Sequence, residues 1–195
     1  MDGRPPMSAA IVDTPLDWSD LVRTWRELDV PEGWRPEVTI EGIRMSPPPG
    51  GQHNLIAGRL HRQLVSGTPD GSEVFQTLGV SVPVVGGIYV PDLCVVPLIR
   101  VPHGAEPVPS EHVLLAIEIT SAGNAQHDRS RKRWAYAHGG IGQYLLVDPH
   151  DPEGPAVTLF GAPGEGVYRR ACRVPFGETI ALASPFELEL DTAEF

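Results

Sequence analysis

Val113-Leu114-Leu115-Ala116-Ile117-Glu118-Ile119-Thr120 is apolar at odd and even positions alike until near its end. A strand covered on one face would alternate, so this one is predicted to lie centrally in a sheet with both faces buried. Downstream, a helix is expected over 124–138, then the strand Gln143-Tyr144-Leu145-Leu146-Val147-Asp148, stopped by Pro149. Upstream, strands are expected at 73–82 and 88–96, with Gly86-Gly87 between them in hairpin fashion. Before those, a helix over 52–66 turns Ile56, Leu60 and Leu64 inward. The order α, β, β, β, α, β predicts an α/β (α+β) domain, a mixed sheet flanked by helices.

Strands are added at both ends of this core. Val38, Ile40, Ile43 and Met45 alternate around Glu41-Gly42 as a short hairpin would, and Pro47-Pro48-Pro49-Gly50-Gly51 ends it. Further strands are expected near 156–160, 166–173 and 179–190. An N-terminal helix is predicted with Thr14 as N-cap, Pro15 at the first helical position and Asp17 reaching back, its apolar face formed by Trp18, Leu21, Val22, Trp25 and Leu28. Residues 1–13 read as a flexible N-terminal arm, and 14–195 as a single domain.

Composition narrows the function. Fifteen Lys and Arg against 25 Asp and Glu give a net charge of −10, which counts against coating nucleic acid through a broad basic face while leaving room for a small basic site. At 195 residues the chain can bury a core without disulfides or structural metal. Cys94 and Cys172 stand far apart without CxxC spacing, and Cys94 reads as a small core residue. No stretch has the length of a membrane span and the N-terminus lacks the order of a signal peptide, so a cytoplasmic protein is expected. The histidines show no HxH or HxxxH pair, and GxSxG, P-loop and GxGxxG motifs are absent.

Three residues stand where they cost energy or break a pattern. Asp92 follows Pro91 and enters the apolar run Leu93-Cys94-Val95-Val96, and Glu118 interrupts the central strand. Burying two ionised carboxylates is costly, and a shared cation would offset both. Carboxylates at the ends of adjacent strands, with a backbone carbonyl between them, make the oxygen-rich site Mg²⁺ prefers. A cap at Asp92 and an arginine pair at Glu118 would explain each singly. The third is Lys132, the one lysine among fifteen basic residues. Its compact ammonium can lose a proton when its pKa is lowered, which suits positioning a water beside a phosphate.

Asp128 lies four residues before Lys132, on one helix face, as a functional pair or a surface salt bridge. Arg129 and Arg133 form the next stripe, facing phosphate or solvent. His53 beside the Gly-rich loop could touch substrate or merely begin a helix, and Glu41 could be a third acidic group or part of a turn. Asp148-Pro149 reads as turn initiation.

Taken in order, Glu41-Gly42, Met45-Ser46-Pro47-Pro48, His53, Val90-Pro91-Asp92-Leu93-Cys94-Val95-Val96, Ala116-Ile117-Glu118-Ile119-Thr120-Ser121, Asp128, Lys132 and Tyr144-Leu145-Leu146-Val147-Asp148-Pro149 resemble the Uma-two family of restriction-endonuclease-like proteins, over roughly residues 35–170. The resemblance implies the PD-(D/E)xK nuclease fold and a Mg²⁺-dependent phosphodiesterase, in which Mn²⁺ can substitute. It implies Asp92 and Glu118 as metal ligands and Lys132 as the phosphate-facing cation; the Ile119 backbone carbonyl is expected as a further ligand, DNA as the substrate, and a homodimer because cutting a duplex needs two sites. The sequence departs from the superfamily pattern where Thr120 takes the place of the strand lysine, a role the family carries on the following helix, here at Lys132. Family members also carry a Glu shortly before the hairpin Gly, a place either Glu37 or Glu41 can fill, and Gln143-Tyr144-Leu145 replaces the common Glu-Tyr-Trp. The alternative is a noncatalytic module that keeps the fold and binds a ligand or partner protein in the cleft.

Overall fold

The computed structural model describes residues 17–195; the arm at 1–13 and the cap at Thr14-Pro15 lie outside the described residues. The chain runs through α1 (Trp18–Glu27), the hairpin β1 (Arg35–Thr39) and β2 (Gly42–Ser46), α2 (Gly51–Gly67), β3 (Ser72–Gln76) and β4 (Val80–Val82). Next come β5 (Gly87–Tyr89), β6 (Leu93–Pro97), the two-residue β7 (Val108–Pro109) and β8 (Leu115–Ile119). A π-helical segment, His127–Lys132, continues as α3 (Arg133–His138), followed by β9 (Gln143–Asp148), β10 (Ala156–Gly164), β11 (Val167–Pro175), β12 (Thr179–Ala181) and β13 (Glu189–Asp191).

The two long strands expected at 73–82 and 88–96 are each broken in the middle, and the breaks build the molecule. Pro91 has no N–H to continue a ladder, so the second strand stops at Tyr89 and restarts at Leu93. The first turns at Thr77, whose φ is +54°, and at Gly79, where a Cβ would come within 2.6 Å of Trp25. Each strand therefore serves two sheets. The outer halves join a five-stranded sheet, β2-β1-β5-β4-β7, and the others a six-stranded sheet, β11-β10-β9-β8-β6-β3. The Gly86-Gly87 turn closes the β4–β5 hairpin with Val82 opposite Gly87.

The strand at 115–119 is central. It pairs antiparallel with β6 (Leu93 opposite Ile117) and parallel with β9 (Glu118 opposite Leu146), the helical crossover supplying the parallel return. Its alternate residues enter different cores, which explains the unbroken apolar run. Leu115 and Ile117 join Leu93, Val95 and the inward face of α2 (Ile56, Leu60, Leu64), while Ala116 joins Cys94, Val96, Tyr136 and Tyr144 on the α3 side. Glu118 and Asp92 fall by alternation on this second face, toward the seam between the sheets.

Other expectations are corrected. The β1–β2 hairpin forms about Ile40 and Glu41, but Ile40 is 64% exposed and Ile43 and Met45 are exposed too, with Glu37 and Val38 buried instead. Only Val38 of that set pairs inward, opposite Ile88. The strand expected over 179–190 is a small separate ribbon, with Ile180 opposite Leu190. Asp17 itself occupies the N-cap of α1 without capping through its side chain; the helix is held from Trp25, whose Nε1 donates to the Pro36 carbonyl at 2.8 Å. No helix among the described residues is long and apolar enough to cross a membrane.

Candidate active site

Four acidic residues from four chain segments meet at the seam. Glu37 comes from β1, Asp92 from the break after Pro91, Glu118 from β8 and Asp128 from the π-helical segment, and all four are buried. Lys132 stands among them. Its Nζ lies 2.8 Å from Glu37 Oε1, 2.9 Å from Glu118 Oε1 and 3.9 Å from Asp128 Oδ1. Four-residue steps along the helix set out Asp128, Lys132 and Tyr136, and the Tyr136 hydroxyl donates to Glu118 Oε1 at 2.6 Å. The π winding within such a short helix matches a local distortion common at functional sites. Glu37 also accepts from the Val90 N–H at 2.8 Å, tying the five-stranded sheet to the strand break.

Asp92 is held from three sides. Arg35 Nη1 donates to Oδ1 at 2.6 Å, and Oδ2 lies 3.0 Å from His53 Nε2 and 2.9 Å from the donating Ile119 N–H. Burial pushes the Asp92 pKa up, but the His53 bond and the charges of His53, Arg35 and Lys132 outweigh it and bring it to about 2. Glu118 behaves oppositely. Burial, reinforced by Asp92, Asp128 and Glu37, carries it well above the usual carboxylate range despite Lys132. Asp128 is likewise raised to about 7, burial leading and its acidic neighbours adding to it. Burial alone would strip the proton from Lys132, yet Glu118, Glu37, Asp128 and Asp92 together hold it more firmly than usual. The expectation of a lysine with a lowered pKa is therefore corrected: Lys132 is a fixed cation. His127, brought down to about 4 by burial and by Lys132, adds no charge at neutral pH.

Several expected site residues lie elsewhere. Thr120, in the place of the strand lysine, donates to Asp148 Oδ1 at 2.7 Å, and Arg129 reaches the same carboxylate through Nε at 2.6 Å and Nη2 at 3.1 Å. Arg129 thus faces away from the cleft, and Asp148 starts the expected turn, accepting from the His150 N–H at 3.0 Å, while also serving as a buried anchor. Arg133 lies over the Phe160 ring, 5.1 Å from its centroid. Glu41 is exposed at the hairpin turn in an ion pair with Arg131, and Glu37 takes the interior place. The Asp128–Lys132 pair is buried, not a surface salt bridge. Ile119 reaches Asp92 through its N–H. Sequence reasoning missed Arg35 and Tyr136; Tyr136 follows Lys132 by four residues and was findable on that spacing, whereas no local pattern marks Arg35.

A cleft of about 390 Å³ opens on this cluster, lined by Arg35, Glu37, His53, Asp92, Glu118 and Lys132 among others. Four carboxyl groups face two fixed cations, Lys132 and Arg35. Among the described residues no three His, Cys, Asp or Glu side chains form a ready-made metal cage. Asp92 and Glu118 nonetheless suit a hard divalent ion that keeps several waters, because it needs only one or two carboxylates. The raised pKa values of Glu118 and Asp128 come first from burial and then from their acidic neighbours, and a cation at the site would oppose both.

A mixed sheet with its acidic residues at a strand break and mid-strand, and a lysine on the crossover helix, defines a protein of the restriction-endonuclease-like fold. The crystal structure titled as a "putative nuclease belonging to DUF820 from Anabaena variabilis ATCC 29413" shares this fold, with a TM-score of 0.64 at 18% identity over 87% of this chain and 90% of that one. The profile of the Uma2 family, described as "Putative restriction endonuclease", matches residues 20–193, and the chain belongs to that family. No curated protein matches.

Proposed function

We propose that this chain is a nuclease that hydrolyses phosphodiester bonds of DNA with Mg²⁺, or Mn²⁺ in its place. The observation that carries the reading is Lys132, buried and bridging Glu37 and Glu118 beside Asp92 and Asp128 at a cleft. Asp92, Glu118 and the Ile119 carbonyl would hold the ion. When bound, a divalent cation polarises a phosphodiester oxygen and lowers the pKa of a water. The protein's own groups do the rest. Lys132 offsets charge gathering on the phosphoryl oxygens, and needs no proton transfer to do so. Tyr136 fixes Glu118 Oε1, while Arg35, His53 and the Ile119 N–H fix Asp92, so both carboxylates keep their positions during turnover. The water oxygen bonds to phosphorus as an ester P–O bond breaks, and the water proton ends on the departing alkoxide. Each chain carries one such site, so cutting both strands of a duplex would call for a homodimer.

The test is cleavage of plasmid and oligonucleotide DNA with Mg²⁺, Mn²⁺ or chelator. Metal-dependent cleavage is expected, reduced at least a hundredfold by Glu118→Gln or Asp92→Asn with the fold intact by circular dichroism. Full activity in either variant, or in chelator, would sink the assignment. One feature favours a second reading, a noncatalytic binding module: Thr120 stands in the strand-lysine place and is engaged with Asp148. Calorimetric titration with Mn²⁺ separates the two, since the module needs no heat of binding that Glu118→Gln removes.

A further inference from the structure

Beside the acidic cleft lies a second concavity of about 480 Å³, and the two share a wall made of Arg35, Pro49, His53, Val90 and Asp92. Its character is different. Trp25 and Trp34, two of the four tryptophans in the chain, line it, and Asn54 and Gln76 are among its polar residues. The volume is within the range of small-molecule pockets, roughly 300–1,000 Å³, and the mixture of aromatic faces with a few polar groups is the usual composition of one. Trp34 is 36% exposed, so part of its surface is open to a ligand. Thr77, a β-branched residue held at φ +54°, also contributes to the pocket, and backbone in such a conformation collects at functional sites.

Resting on the nuclease reading above, we propose that this pocket receives one unpaired base of single-stranded DNA whose neighbouring phosphate lies in the acidic cleft. A base and its phosphate are joined through one sugar, so a phosphate at the cleft places a base within reach of an adjoining pocket. In a duplex that base is stacked and paired; only an unpaired or extruded base can enter. The Arg35 guanidinium, in the wall between the aromatic pocket and the acidic cleft, is the cation placed for the intervening phosphate: Nη1 holds Asp92, and Nε has no partner among the described residues. Charge points the same way. The net charge is −10, and seven arginines besides Arg35 (Arg23, Arg26, Arg59, Arg129, Arg131, Arg169 and Arg173) are already paired with the chain's own carboxylates. Little basic surface is left to grip a duplex backbone, whereas stacking gives affinity without it.

The test is a titration of intrinsic tryptophan fluorescence, in Ca²⁺, with a short single-stranded deoxyoligonucleotide and with the same strand annealed to its complement. The single strand is expected to quench the emission and to bind at least tenfold more tightly than the duplex. Trp34→Ala should weaken single-strand binding about tenfold, the size of one lost stack. Trp34→Phe should restore most of the affinity but not the quench, and Trp134→Phe should change neither. Equal affinity for the two forms, or an unaltered Trp34→Ala titration, overturns the proposal. A parallel Mn²⁺ cleavage assay keeps the two readings apart. Cleavage that needs Glu118 but ignores Trp34 and strandedness removes the base pocket alone; Trp34-dependent binding without cleavage removes the nuclease alone.

Discussion

One helix serves two carboxylate clusters of opposite character. On one stripe, Lys132 and Tyr136 meet Glu118 while Glu37 and Asp128 crowd the same ammonium, and both Glu118 and Asp128 hold their protons more tightly than usual, burial leading. One residue further round, Arg129, Thr120 and the His150 N–H all donate to Asp148, and these bonds outweigh burial and lower its pKa. Asp148 is matched by its neighbours and ties β8, β9 and the helix together. The Glu118 cluster is short of positive charge. Where this fold only needs to hold, it balances charge locally; where it leaves an imbalance, a ligand that corrects it has a place to act.

The contrast can be broken most sharply at Lys132. Lys132→Met leaves Glu37, Glu118 and Asp128 buried without their cation and should lower stability by about 3–5 kcal/mol in urea unfolding; a wild-type midpoint would show that the cluster is not balanced on this residue. At the other cluster, Arg129→Ala should cost about 1–3 kcal/mol, because Asp148 loses charge-assisted bonds, and should leave metal-dependent cleavage intact in the folded fraction. Lost cleavage there would make the two clusters one site.

A pH series sharpens the comparison. The folded pKa of Asp128, about 7, lies above its unfolded value, so the native state binds the extra proton and stability falls as pH rises from roughly 4 to 7. In chelator, Asp128→Asn should therefore gain on wild type over that range, by something on the order of 1 kcal/mol once Glu118 and Lys132 share the titration. Mn²⁺ should flatten the difference. Asp148 has the opposite sign: its folded pKa is lowered, so its contribution is present above about pH 4 and is lost on further acidification. The smallest effect is expected at Glu41, whose exposed pair with Arg131 should make Glu41→Ala neutral to within about 0.5 kcal/mol in thermal unfolding.

The core was legible because its signals are local. Apolar residues at both parities of 113–117 required a doubly covered strand, and Ile56, Leu60 and Leu64 marked the buried face of α2. Asp92, Glu118 and Lys132 were visible because each violates the chemistry of its surroundings. What could not be read was which sheet each strand half would join, since the outcome of the breaks at Thr77 and Pro91 depends on distant partners. The Glu37 and Glu41 choice was undecided for the same reason. Ile40, Ile43 and Met45 carry an inward-looking alternation in a hairpin whose outer face stays exposed, so only the docking of β5 against Val38 selects Glu37. Arg35, with an ordinary strand setting, becomes meaningful only when Asp92 arrives from 57 positions away.

Glu37 hangs on one hydrogen-bonded sheet and Glu118 on another, and Lys132 reaches both only after the two halves have docked. A half-folded chain, whether emerging from the ribosome or partly melted, would therefore hold each of these side chains and yet lack the cluster they form together. The two strand breaks thus make assembly of the cluster conditional on the whole fold, not on either sheet alone.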